Sequence, residues 1–197
     1  MAIFVVAMGS GVATSLIVAA LQSNQFSRDN LIALNLAVEG LEAVREIRDA
    51  NWLRFSFDKE LCWNMRPEVI DCNDPSAARI KPGNYIVLLD TASNYDWGLS
   101  DPPLVSALDL TSSSSMESYR LFYSDAAHDF YLNSATALAD KSNFYRMVSI
   151  SYSPANNEAT DQEMTVTSLV QWQSQGVKHE ILLQSKLTNY QKVKRSS

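Results

Sequence analysis

An α+β fold, with one long N-terminal α-helix packed on a C-terminal antiparallel β-sheet, is predicted by three features of the 197-residue sequence. No charged side chain occurs from Met1 to Ser27, and the first is Arg28. The apolar residues that follow recur at spacings of three and four, which is one face of a helix. From Tyr119 onward, aromatic and β-branched runs alternate with turn residues, as antiparallel strands do.

The helix is read in two halves. Met1–Leu21 is a mostly apolar run that just reaches the length of about 20 residues needed to cross a bilayer as a helix. Val18-Ala19-Ala20 resembles a signal-peptide cleavage site, but no basic region precedes the run. Gly9, Ser10 and Gly11 weaken the helix locally, since glycine costs about 1 kcal/mol against alanine. With no turn signal between them, a second half follows, in which Leu31, Leu34, Val38, Leu41, Val44 and Ile47 form a stripe expected to pack on the head. Its other positions are charged, with Glu42/Arg45 and Arg45/Asp49 spaced as helical ion pairs. Glu39, Glu42 and Glu46 read as a solvated surface rather than catalytic carboxylates, with no histidine beside them. The helix is expected to run from about Ala2 to about Asn51. The predicted division is residues 1–28, a transmembrane or filament-core helix; 29–52, its amphipathic continuation; and 53–197, a β-rich head.

Residues 53–83 read as irregular, with Pro67, Pro75, Pro82 and Gly83. Tyr85–Leu89 is a predicted strand. Residues 90–118, with Pro102, Pro103 and the serines 112–115, read as loop. Further strands are predicted at Tyr119–Tyr123, Phe130–Leu132, Phe144–Tyr152, Thr165–Trp172 and Val177–Leu187, the last two forming a hairpin around Gly176. Tyr85, Tyr119, Phe122, Tyr123, Phe144, Tyr145 and Trp172 read as sheet core rather than as a ligand platform.

Cys62 and Cys72 are the only cysteines, and Pro67 helps the loop between them turn back. A disulfide of ordinary geometry fits this spacing and is expected, with two free thiols as the alternative. A disulfide would place the head outside the cytoplasm. The formal charge of −6 makes nucleic acid an unexpected partner.

Catalytic chemistry is not visible. There is no Gly-x-Ser-x-Gly, phosphate loop or zinc motif. His128 is flanked by acids in a predicted loop, and His179 and Glu180 are adjacent in a strand, so they face opposite sides. Asp125, Asp129 and Asn133 offer oxygens for calcium, but without EF-hand spacing. No cofactor and no enzymatic activity are expected.

The segment Ala37–Trp52 and the closing runs Val166–Trp172 and Ile181–Tyr190 resemble the helix end and final hairpin of the type IV pilin-like and pseudopilin proteins. That resemblance spans both ends and leaves about 53–118 uncovered. It implies a structural subunit, major or minor, of a pilus-like filament. It also implies partners: copies of the chain or related pilins, the inner membrane before assembly, and a pilus or secretion assembly machine. The head would lie outside the cytoplasm. Ala2, Phe4, Val5, Ala7, Gly9, Gly11, Val12, Leu16, Ile17 and Ala20 would form the membrane and assembly helix. The family's basic leader and the glutamate near its mature start have no counterpart here: position 5 is Val5, and no acid precedes Asp29. Met1–Ala7 therefore reads as the interior of the family's hydrophobic segment, with the true start expected upstream. The alternative is a monomeric membrane-anchored surface protein that binds a ligand or partner through its head.

Overall fold

The computed structural model describes residues 2–69, 71–72, 79–90, 96–112, 116–124, 130–133, 140–153 and 163–189, with the backbone alone for 2–10. Helix α1 (Ala2–Arg54) has 53 residues, a length of about 80 Å at about 1.5 Å per residue. No proline occurs before Pro67, so nothing removes a hydrogen bond from its interior. Its end is fixed by the chain that follows. Asn51 Nδ2 donates to the carbonyls of Trp63 and Met65 (3.3 and 2.7 Å), and Arg54 Nη1 donates to those of Pro67 and Val69 (both 2.9 Å). The single-turn helix α2 (Lys59–Cys62) is N-capped by Asp58, whose side chain accepts from Leu61 N.

The main sheet is antiparallel throughout. It comprises β1 (Gly83–Tyr85), β4 (Arg120–Ser124), β5 (Phe130–Leu132), β6 (Asp140–Ser153), β7 (Glu163–Ser174) and β8 (Val177–Thr188). Its order is β5-β4-β6-β7-β8, with β1 also paired to β6. The β7–β8 hairpin turns at Gln175 and Gly176, both at positive φ, so Gly176 serves as read from the sequence. A two-stranded sheet, β2 (Val87–Asp90) with β3 (Asp96–Leu99), packs against the lower part of α1.

Side-chain alternation decides what covers each face of the sheet. Met164, Val166, Ser168, Val170 and Trp172 of β7, with Phe144, Arg146, Val148 and Ile150 of β6, are buried under α1. The intervening Tyr145 and Met147 face the other side, where Leu108 and Tyr119 cover them. The hydroxyl of Tyr119 donates to Ser106 O at 2.6 Å, pinning that cover.

Three expectations are corrected. Tyr85–Leu89 is not one strand: the chain breaks at Ile86, and its two parts join different sheets. The pivot is Ser100, whose N–H donates to Ile86 O and whose Oγ accepts from Ile86 N. Residues 90–118 are not all loop, since they hold β3 and a 3-10 turn at Glu117–Tyr119. Arg45 pairs with Glu42 as predicted, but Asp49 pairs with Arg48 instead.

Candidate assembly surface

Helix α1 carries two apolar faces, and they differ in side-chain size. The head-facing one is Ala33, Leu36, Ala37, Gly40, Ala43, Val44 and Ile47, all buried. Its small residues let the helix backbone come close to β6 and β7. A Cβ at Gly40 would stand 2.5 Å from Ser168 Oγ, 3.2 Å from Val148 Cγ2 and 3.3 Å from Arg146 Cδ. Arg146, 1% exposed, lies beneath this point and donates from Nη1 to Glu39 Oε1 (2.6 Å) and to Leu36 O (3.3 Å). Asn133 Oδ1 accepts from its Nη2 at 3.4 Å. Glu39 is thus the partner of a buried cation rather than part of a purely solvated face.

The sequence-predicted packing stripe is correct in its lower half only. Val44 and Ile47 are buried and Leu41 packs partly buried on the same core. Leu31, Leu34 and Val38 point away from the head, at 63, 40 and 42% exposure. Both stripes satisfy helical spacing. Selecting the larger residues picked the outer one, whereas the bulk supplied by Arg146, Val148 and Ser168 at Gly40 requires the stripe that carries a glycine there. The signal that was missed is the parallel series Ala33, Ala37, Gly40, Ala43.

The outer face continues upward. Ala13, Leu16, Ala20, Asn24, Ser27, Leu31, Leu34 and Val38 follow one another at steps of three and four and are all exposed. Val12 and Ile17 flank this line and are exposed too, Leu16 at 66%. No residue from Gly11 to Arg28 is buried on the head. The one aromatic tie in this stretch is Phe26, edge-on to His179 at 5.2 Å, with His179 stacked on Trp172 at 5.4 Å. Gly11 and Ala20 are exposed like their neighbours. Of the other predicted assembly residues, Ala2, Phe4, Val5, Ala7 and Gly9 belong to the helical backbone, and their side chains lie outside the described residues. Among the described residues, no helix is long and apolar enough to cross a membrane.

Cys62 and Cys72 are joined by a disulfide, with their Cα atoms 6.1 Å apart. Together with Phe55 and Met65 they form a small buried cluster under the end of α1. The bond closes the loop whose carbonyls receive Arg54, so it holds the C-terminal end of the helix to the head.

Perturbed titrations are structural. Burial pushes the Tyr85 phenol up to about 12, and it raises Tyr152 further still. Their hydroxyls donate to Lys81 O (2.6 Å) and Ile80 O (2.8 Å). Burial lowers Arg79. The Lys141 ammonium and the Arg120 guanidinium, both hydrogen-bonded to Glu117, hold its carboxyl below the usual range. Of the histidines, His179 stacks on a ring and pairs with no nucleophile, while His128 lies outside the described residues, as do Asp125 and Asp129. No group of three or more metal-ligating side chains occurs among the described residues.

No protein-family model matches the chain, and neither a curated protein nor a solved structure matches it.

Proposed function

We propose that this chain is a structural subunit of a type IV pilin-like filament, and that it assembles through the outer face of α1 with other copies of itself. The observation that carries the reading is the second apolar face. The head covers the opposite face of the helix only below Arg28, yet large apolar side chains stand exposed on the outer side at Leu31, Leu34 and Val38, and again at Leu16 with Val12 and Ile17 beside it, with Ala20, Asn24 and Ser27 between the two groups. Removing such a side chain from water is worth about 1.5–3 kcal/mol, so several of them in series favour a partner. The steps of three and four along Leu16, Ala20, Asn24, Ser27, Leu31, Leu34 and Val38 are those by which helices pack side by side. Before assembly, the upper part of this face and the apolar segment beginning at Met1 would lie in a membrane. Exchange of lipid for helix then leaves close packing as the main source of association, and small residues such as Ala13 and Ala20 permit it.

The experiment is a double substitution, Leu31→Asp with Leu34→Asp, in cells that make the native protein. Both residues are exposed, so the head should keep its near-ultraviolet circular dichroism and its disulfide. Wild-type chain is expected in sheared filaments, and the variant is expected to be missing from them. Normal filament incorporation of the variant overturns the proposal. Wild-type chain that stays monomeric and anchored overturns it too, and favours a surface-anchored binding protein.

A further inference from the structure

Where α1 leaves the sheet, the ends of β4, β5, β6 and β7 form an open groove of about 510 Å³ with the helix as one wall. This volume falls within the range of about 300–1,000 Å³ typical of small-ligand sites. Its aromatic lining is graded in burial. Tyr123 and Tyr131 are half-buried, with ring centroids 5.3 Å apart. Behind them Phe144 sits edge-on to Tyr131 at 5.8 Å, and Trp172 follows at 6.0 Å. The two tyrosines thus offer rings at the surface that a rigid aromatic layer supports from below.

The polar lining is planar and mixed. Gln25 of the helix, Asn143 of β6, and Gln173 and Gln175 of the hairpin contribute amides. Among the described lining residues, Arg28 and Lys141 are matched by Asp29 and Asp140. Among the described residues, Arg28, Asp29 and Asp140 enter no ion pair, whereas Lys141 is engaged by Glu117 at 2.8 Å. Trp172 is only 1% exposed and forms the floor of this aromatic layer.

We propose that this groove binds a neutral saccharide chain. A sugar ring has an apolar C–H face that packs on an aromatic ring, and a rim of hydroxyls that each donate and accept. Half-buried tyrosine rings beside amides, carboxylates and a guanidinium answer both needs. The described lining has no excess of cations of the kind that would favour a polyanion such as nucleic acid or an acidic polymer. This assignment does not depend on the assembly reading, since the groove is made by the head and one turn of α1.

The test uses the full chain in lauryldimethylamine oxide, a detergent without a sugar headgroup. Maltotetraose, cellotetraose, mannotetraose and chitotetraose are titrated separately by calorimetry and by tryptophan fluorescence. Saturable one-site binding of at least one of them is expected. Tyr131→Ala and Asn143→Ala should each weaken it by about tenfold or more, as the loss of a stacking ring or a paired amide does. Asn143 is exposed, so its variant keeps the fold if Tyr131→Ala does not. Tyr131→Phe should retain most of the affinity, because it keeps the ring. Failure of all four sugars to saturate by roughly 10 mM, a free energy too weak for a built site, overturns the proposal. So does sugar binding that neither alanine variant alters. Vesicles of phosphatidylethanolamine form the second arm: binding to them that both variants abolish, with no sugar binding, reassigns the groove to a lipid surface.

Discussion

Gly40 of α1 lies directly against Ser168 of β7, so close that a Cβ on residue 40 would stand 2.5 Å from the serine Oγ. Ser168 is fully buried and its hydroxyl has no hydrogen-bond partner. The contact sets the distance between helix and sheet. A glycine within a helix costs about 1 kcal/mol in propensity, which the close approach must offset.

Gly40→Ala is therefore expected to destabilise the head by about 1–3 kcal/mol through overpacking, despite the better helix propensity of alanine. Gly11, where an added Cβ meets nothing within 4 Å, is the internal control. Gly11→Ala should leave head stability unchanged and make the upper helix firmer. Urea denaturation of both variants reads the contrast; equal behaviour would refute the close-approach argument. Ser168→Ala in the Gly40→Ala background should recover part of the loss, because it removes the clashing oxygen.

The Glu39–Arg146 pair makes a different kind of demand. Arg146 is buried in the head and depends on a carboxylate that reaches down from the helix. Removing one partner leaves a buried charge without its counterion. Glu39→Gln should cost on the order of 2–4 kcal/mol, a range set below that of fully buried pairs because Glu39 itself is about one-third exposed. Arg146→Met together with Glu39→Gln should cost clearly less than the sum of the single changes. A double-mutant cycle that shows simple additivity would remove the pair from the account.

These two contacts also show why the fold was easier to read than the surfaces. The helix, the hairpin and the sheet class follow from periodicity and from turn residues such as Gly176. Which side of α1 meets the sheet does not, because Leu31, Leu34 and Val38 obey the same period as Ala33, Ala37 and Gly40. Only the bulk of Arg146, Val148 and Ser168 across the interface chooses between them. The split at Ile86 was hidden for a similar reason: Tyr85–Leu89 is an unbroken apolar run, and the Ser100 hydrogen bonds that divide it lie 14 residues away. The groove was illegible because its tyrosines come from different strands, and their sequence pattern is that of core aromatics.

The disulfide gives the third prediction. Cys62 and Cys72 are separated by 10 positions, and closing a loop of that size limits the unfolded chain by about 3 kcal/mol. Replacing both with serine should lower stability by about that amount. It should also loosen the last turn of α1, since the Arg54 acceptors Pro67 and Val69 lie within the loop. Hydrogen exchange at residues 51–55 provides the second readout. Faster exchange there, with β6 and β7 unchanged, is the expected pattern; uniform acceleration would show that the loop supports the whole head.

The tyrosines beside β1 predict a failure at alkaline pH. Tyr85 and Tyr152 donate to the carbonyls of Lys81 and Ile80, a bond that a phenolate cannot make. Burial raises both above the ordinary value of 10, Tyr85 to about 12. The folded state thus favours the neutral phenol more than the unfolded chain does. The stability this provides is fully present below pH 10 and is lost as pH rises toward and through about 12. For Tyr85, whose side chain is buried, the loss is on the order of 3 kcal/mol, since each tenfold difference in proton affinity between the folded and unfolded chain is worth about 1.4 kcal/mol. Stability measured by urea denaturation should therefore be level between pH 8 and 9.5, as rough bounds below the unfolded titration, and then fall steeply. Tyr85→Phe should begin lower, having lost its hydrogen bond, but decline less over the same interval. A wild-type curve that stays flat to about pH 11.5, or a Tyr85→Phe curve that falls in parallel with it, would show that these phenols do not govern the alkaline limit of the fold.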